Sequence, residues 1–69
     1  MKEFLITILE TYFLHVLYSD VMIYKLKELF KTDDITADGN VIRAGNINIY
    51  LTLSDNNYIN KIDIEEISK

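Results

Sequence analysis

The stretch from Met1 to Asp38 contains neither glycine nor proline, and this absence constrains the fold more than any other feature of the sequence. Apolar residues recur almost continuously from Phe4 to Phe30, so the segment favours a helix and contains none of the residues that usually end one. Its polar residues recur every four positions, as one stripe along a helix would: Glu3, Thr7, Thr11, His15 and Ser19. The rest of the circumference is apolar. We therefore expect this helix to be covered on more than one side.

Asp20 interrupts the helical pattern. The apolar line of the first half continues by four residues onto this carboxylate, and a new apolar line begins at Met22. Ser19 or Asp20 is therefore predicted to cap a second helix, or to mark a kink in a long one. We expect helices near residues 3–18 and 20–31. An unbroken helix over this span would be roughly 40 Å long and would extend beyond a domain of this size.

Turn residues and strict alternation replace the helical pattern after Lys31. The sequences ADGN at 37–40 and AGN at 44–46 supply the Asp, Gly and Asn of tight turns. Apolar and polar residues alternate from Ile47 to Ser54, which is typical of a half-buried strand. A second alternating segment follows the DNN turn at 55–57, and a short strand is expected around residues 41–43.

The predicted fold is a single α+β domain over residues 1–69. One long or kinked N-terminal helical segment, or two helices, spans residues 3–31 and packs on one face of a three-stranded antiparallel β-meander at about 40–66. The β-branched ITI at 6–8 leaves a strand open as an alternative there, and we favour the helix.

Composition indicates that this fold has a surplus of apolar surface. The chain has 69 residues, and 49% of them are hydrophobic. It has no cysteine and one histidine, so neither disulfides nor a structural zinc site can stabilise the fold. A domain this small gains only marginal stability from its core, and oligomerisation is the remaining common way to stabilise it. We therefore predict a homodimer. The residues predicted to form the dimer interface and the contact with another protein are Leu5, Leu9, Tyr12, Phe13, Val16, Leu17 and Tyr50.

Charge argues against nucleic acid and membrane as direct partners. The net charge is −4 and Arg43 is the sole arginine, whereas phosphate backbones are bound by clustered basic residues. A bilayer span over residues 4–24 would bury Glu10, His15 and Asp20, and an acidic group near the bilayer centre costs roughly 2.5 to 3.5 kcal/mol. No small-residue cleavage site follows Met1, so we expect a cytoplasmic protein.

The segment DITADGNVIRAG at 34–45 resembles the first half of an EF-hand calcium loop. Asp34, Thr36 and Asp38 fall at the first, third and fifth positions. The twelfth position, where a bidentate glutamate closes the coordination sphere, is Gly45, and a strand follows instead of an exit helix. A hairpin turn at Asp38 and Gly39 is therefore favoured over a calcium site.

No residues specify a catalytic reaction or a cofactor. His15 has Thr11 and Ser19 as helical neighbours, but no nucleophile elbow of the G-x-S-x-G type is present. Glu10 and Asp20 lie on different sides of the predicted helix, so they do not form a carboxylate pair. We expect no enzyme, no cofactor and no metal.

Two functional hypotheses follow. The first is a small interaction module that pairs through its N-terminal helices and regulates or inhibits a larger protein, as a phage or mobile-element inhibitor would. The second is an ion or small-ligand sensor that uses the acidic turn from Asp33 to Asp38. Tyr50, on the polar side of its strand, is the first candidate for contact with another protein, because tyrosine is enriched at interfaces.

Overall fold

The computed structural model describes residues 2–67 and shows two helices packed on a four-stranded antiparallel sheet. The elements in chain order are α1 (Lys2–Phe13), α2 (Asp20–Phe30), β1 (Ile35–Asp38), β2 (Val41–Ala44), β3 (Ile47–Leu53) and β4 (Ile59–Glu66). The strands lie in sequence order, each paired with the next, so the sheet is a meander. The predicted α+β class and the meander are confirmed.

The predicted number of strands is wrong by one, because Ile35–Asp38 forms an additional edge strand. This strand lies inside the segment that we predicted to be an acidic turn. Asp38 pairs with Val41 across a two-residue turn, and Gly39 has a φ of +63°, the left-handed conformation that such hairpin turns require. The predicted hairpin turn is therefore confirmed, and the strand that leads into it begins with the β-branched Ile35 and Thr36.

The first helix ends at Phe13 and not near residue 18. The chain from His15 to Tyr18 leaves the helix to pair with the beginning of β4. The His15 amide donates to the Ile59 carbonyl at 2.7 Å, the Ile59 amide donates to the Val16 carbonyl at 2.9 Å, and the Tyr18 amide donates to the Asn57 carbonyl at 2.8 Å. These bonds to a strand distant in sequence replace the last predicted turn of α1.

The second helix begins at Asp20, as predicted. Ser19 occupies the N-cap position with an extended backbone, but its side chain makes no capping hydrogen bond. The helical segment is therefore broken between Phe13 and Asp20, which resolves the alternatives of a kink and a break.

The core lies between the helices and one face of the sheet, and all six elements contribute to it. Its buried residues are Leu9, Phe13, Met22, Leu26, Ile35, Ile42, Ala44, Ile49, Leu51, Ile59, Ile62 and Ile64. Within residues 2–67 no polar or charged residue is buried. Full burial of each large aliphatic side chain is worth about 1.5 to 3 kcal/mol, so these residues supply the main driving force for folding.

A β-bulge allows three isoleucines of β4 to share the core face. Ile59 and Ile62 are three residues apart, which would place them on opposite faces of a regular strand. The register between β3 and β4 shifts after Thr52, so that Leu53 faces Ile59 and the intervening Asn60 is an extra residue. Ile64 then continues the buried face by ordinary alternation.

The two helices lie over opposite edges of the sheet. α1 packs mainly against β4 and α2 against β1, and the helices contact each other less than either contacts the sheet. Because the helices lie over opposite edges, a groove remains between them.

Candidate interaction surfaces

The groove between the helices consists of two depressions of about 280 and 140 Å³ that share Tyr12, Phe13 and Lys25 as lining residues. We call it the interhelical groove, and it is lined by Tyr12, Phe13, Val16, Leu17, Ser19, Val21, Met22, Lys25, Glu28 and Leu29. Phe13 and Met22 are buried and form its floor. The remaining lining residues are exposed, so the groove opens to solvent.

The walls of the interhelical groove carry large apolar side chains in contact with water. Tyr12 is 60% exposed and Val21 63%, and three further apolar residues are between 38 and 46% exposed: Val16, Leu17 and Leu29. Single exposed apolar side chains are common on protein surfaces, but a contiguous group of them marks an interaction site or an aggregation liability.

Local structure explains why these residues face outward. Pairing of the segment after α1 with β4 stops the helix, so Val16 and Leu17 lie on the surface and do not continue the buried stripe of Leu9 and Phe13. In α2, Met22 and Leu26 face the core. Positions 21, 25 and 28 share another face of that helix and form one wall of the groove.

The structure divides the predicted interface residues into three groups. Tyr12, Val16 and Leu17 are exposed and lie together in the interhelical groove. Leu9 and Phe13 are only 1% and 3% exposed, because they pack against the sheet of their own chain. Leu5 is half-buried and packs against the same core, and Tyr50 lies on the opposite face of the sheet.

Sequence reasoning missed the contribution of α2 to the groove. Val21 and Leu29 were not selected, because the predicted seam followed the first helix alone. The available signal was the combination of Val21 with Lys25 and Glu28, whose spacings of four and three residues place all three on one face of the helix.

The outer face of the sheet, on the side away from the helices, carries a hydrogen-bonded cluster around Tyr50. The Tyr50 hydroxyl donates to Glu65 Oε1 at 2.6 Å, and Asn48 Nδ2 donates to the same oxygen at 3.4 Å. The hydrogen bond to Glu65 raises the pKa of Tyr50, and the same bond, assisted by Asn48, lowers the pKa of Glu65. Tyr50 remains 39% exposed, next to a shallow depression of about 420 Å³ that is also lined by Arg43.

Tyr18 connects the segment between the helices to the β1–β2 turn. Its hydroxyl donates to the Gly39 carbonyl oxygen at 2.7 Å. Partial burial of the phenol, and secondarily the negative charge of Asp20, raise the pKa of Tyr18. This contact holds the segment between the helices to the sheet.

The segment that resembles a calcium loop is a hairpin in the structure. Residues 35–38 and 41–44 are paired strands, so Thr36 and Asp38 lie on one face of an extended strand and not in the tight loop that encloses a calcium ion. Among the described residues there is no group of three or more histidine, cysteine or acidic side chains that could hold a metal ion.

The sequence predicted His15 and Thr11 to be neighbours on one helix, but only Thr11 lies in a helix in the structure. His15 lies in the segment between the helices with a φ of +67°, and not on the polar stripe of a helix. The Thr11 hydroxyl donates to the Thr7 carbonyl of its own helix at 2.8 Å.

Comparison with known protein families, characterised proteins and solved structures finds no match to this chain. Of the helices formed by residues 2–67, none is long and apolar enough to cross a lipid bilayer.

Proposed function

We propose that this protein is a non-enzymatic interaction module that forms a homodimer through the interhelical groove. The observation that carries the proposal is the contiguous exposed apolar surface formed by Tyr12, Val16, Leu17, Val21 and Leu29. Covering this surface would remove large apolar side chains from water, which is the dominant favourable term in most protein association.

A second copy of the chain is the occupant that the size of the protein favours. A stable interface covers about 800 Å² on each partner, which is about one sixth of the 4946 Å² accessible surface of this chain. An interface of that size on the helical side of the molecule would leave the outer face of the sheet available to another protein. A 69-residue domain without disulfides also gains stability from such pairing.

We further propose that the dimer regulates or inhibits a larger protein in the cytoplasm, as a phage or mobile-element inhibitor would. The outer face of the sheet supports this role, because neither α1 nor α2 covers it and Tyr50 presents an aromatic surface there. Tyrosine supplies a large contact area with little loss of conformational freedom. The two surfaces lie on opposite sides, so dimerisation and partner binding are compatible.

The dimer is tested with charged substitutions at exposed groove positions. Tyr12→Glu and Val21→Glu should convert the protein to a monomer in sedimentation velocity at concentrations where the unmodified chain is a dimer. Both side chains are exposed, so circular dichroism should show an unchanged fold. Phe4→Glu is the matched control, because Phe4 is 68% exposed on α1 but does not line the groove. A monomeric unmodified chain at micromolar concentration, or dissociation by Phe4→Glu alone, would contradict the proposal.

Partner binding is tested by capture from the native host. The unmodified chain and Phe4→Ala should retain the same protein, and Tyr50→Ala should lose it while still forming a dimer. Equal retention by all three would show that the outer face of the sheet is not the binding surface.

A further inference from the structure

We infer that the two copies pair with their α2 helices antiparallel, so that Lys25 of each copy forms an ion pair with Glu28 of the other. This inference rests on the proposed function, because it specifies the geometry of the proposed dimer. Its basis is the placement of one cation and one anion on the same wall of an apolar groove.

Lys25 and Glu28 both line the interhelical groove, next to Tyr12 and Leu29. Both are exposed, and in the part of the chain that the structure describes neither side chain forms a hydrogen bond or an ion pair. Of the described residues that line the groove, they are the only charged ones. A partner that covers the groove must therefore accommodate one positive and one negative charge.

A second copy meets this requirement through symmetry. In a dimer with a twofold axis, any contact from Lys25 to Glu28 of the partner is repeated from Glu28 to Lys25 of the partner. The two residues are three positions apart on the helix, so their Cα atoms are separated by about 4.5 Å along its axis. A twofold axis that passes midway between them, perpendicular to the helix, places each residue level with its counterpart.

The opposite orientation of the helices is disfavoured by the same charges. Parallel α2 helices would place Lys25 level with Lys25 and Glu28 level with Glu28, and juxtaposed like charges at an interface are unfavourable. The charges therefore select the antiparallel arrangement, while the apolar residues Tyr12, Val21 and Leu29 provide the contact area.

Charge reversal tests the arrangement. Lys25→Glu and Glu28→Lys should each weaken the homodimer about tenfold, because each places like charges opposite one another twice. The double variant Lys25→Glu/Glu28→Lys should restore the dissociation constant to within about threefold of the unmodified chain, because both pairs are regained with reversed sign.

Weakening of the single variants excludes the parallel arrangement, in which each variant keeps the same number of like-charge pairs as the unmodified chain. An equimolar mixture of the two single variants then tests the contact across the interface. Each chain keeps the altered charges on its own helix, but a heterodimer regains both ion pairs across the interface. Sedimentation equilibrium should show that the mixture associates about as tightly as the unmodified chain, whereas each variant alone does not. Circular dichroism melts of the single variants check that the fold is intact.

The outcomes distinguish an error in the antiparallel arrangement from an error in the proposed dimer. If the groove variants Tyr12→Glu and Val21→Glu dissociate the dimer but the mixture is no tighter than its components, the antiparallel pairing is wrong and the dimer stands. If the unmodified chain is monomeric, both are overturned. Recovery of the dimer in the mixture and in the double variant supports both.

Discussion

Among residues 2–67, three residues other than glycine hold left-handed backbone conformations, and two of them lie where a helix ends. His15 has a φ of +67°, Lys31 of +55° and Asn57 of +66°. Each costs about 1 to 2 kcal/mol relative to a right-handed conformation, and the cost is offset by hydrogen bonds that the turn makes possible. None of these turns contains glycine, which explains why the end of the first helix could not be located from the sequence.

Replacement of Lys31 by glycine should stabilise the protein by about 0.5 to 1 kcal/mol. The Lys31 amide donates to the Glu28 carbonyl and the Thr32 amide to the Lys27 carbonyl, so the residue after α2 closes a Schellman motif in which glycine is the preferred residue. Urea unfolding measures the change. Lys27→Gly, inside the same helix, should instead destabilise by about 1 kcal/mol, and equal effects at both positions would contradict the explanation.

Replacement of Asp20 by alanine should cost about 0.3 to 1 kcal/mol, through loss of a negative charge at the start of α2. Asp20 is the first residue of the helix, and the N-cap position predicted for Ser19 or Asp20 belongs to Ser19. The loss should diminish in high salt, because it arises from an exposed charge near the helix dipole. Urea unfolding at low and high salt distinguishes this from a lost capping hydrogen bond, whose effect would not depend on salt.

At the scale of secondary structure, the segment between the helices depends on the sheet for its shape. Tyr18 holds it to the β1–β2 turn through the hydrogen bond to Gly39, and Val16 holds it to β4 through Ile59. These contacts join residues distant in sequence, so no local pattern could have indicated them. The alternation of apolar residues from Ile47 to Leu53, by contrast, predicted strand β3 correctly, because that strand has one solvent-exposed and one buried face.

Tyr18→Phe should destabilise the protein by about 0.5 to 1.5 kcal/mol at neutral pH, by removing the hydrogen bond to Gly39. The effect should depend on pH. Because the pKa of Tyr18 is raised in the folded state, its contribution is fully present below the unfolded value near 10 and is lost as pH rises through the folded value. Urea unfolding of both chains should therefore show a stability difference that shrinks above pH 10. A difference that grows with alkaline pH would contradict this assignment.

Calcium at millimolar concentration should not change the melting temperature. The strands β1 and β2 hold the candidate ligands in an extended hairpin, and Gly45 provides no side-chain ligand. A saturable calorimetric titration that is lost in Asp38→Ala would contradict this expectation and would support the sensor hypothesis.

At the scale of the whole molecule, the apolar surplus is divided between a core and a groove. The sequence predicted the excess of apolar surface correctly, because a helix that is apolar around most of its circumference must be covered on more than one side. The sequence could not assign each residue to the core or to the groove, since Leu9 and Tyr12 fit either position when the end of α1 is unknown. Packing of Leu9 and Phe13 on the sheet and exposure of Tyr12 separate the two roles.

Leu9→Ala should cost about 2 to 5 kcal/mol, because it leaves a cavity between α1 and the sheet. The loss should persist when protein concentration is lowered and when it is measured in the Val21→Glu background, since Leu9 stabilises the fold of each chain. Chemical unfolding of the single and double variants gives the comparison. A loss confined to the dimer would return Leu9 to the interface that the sequence predicted.

Isotope-filtered NOE spectroscopy tests most directly whether two copies meet at the interhelical groove. A sample refolded from equal amounts of 13C-labelled and unlabelled chain contains mixed dimers in which only contacts between copies give filtered signals. We predict cross-peaks from the methyl groups of Val16, Leu17 and Val21 to the Tyr12 ring of the other copy. The absence of filtered signals at these residues, or their appearance only around Tyr50, would contradict the proposed dimer.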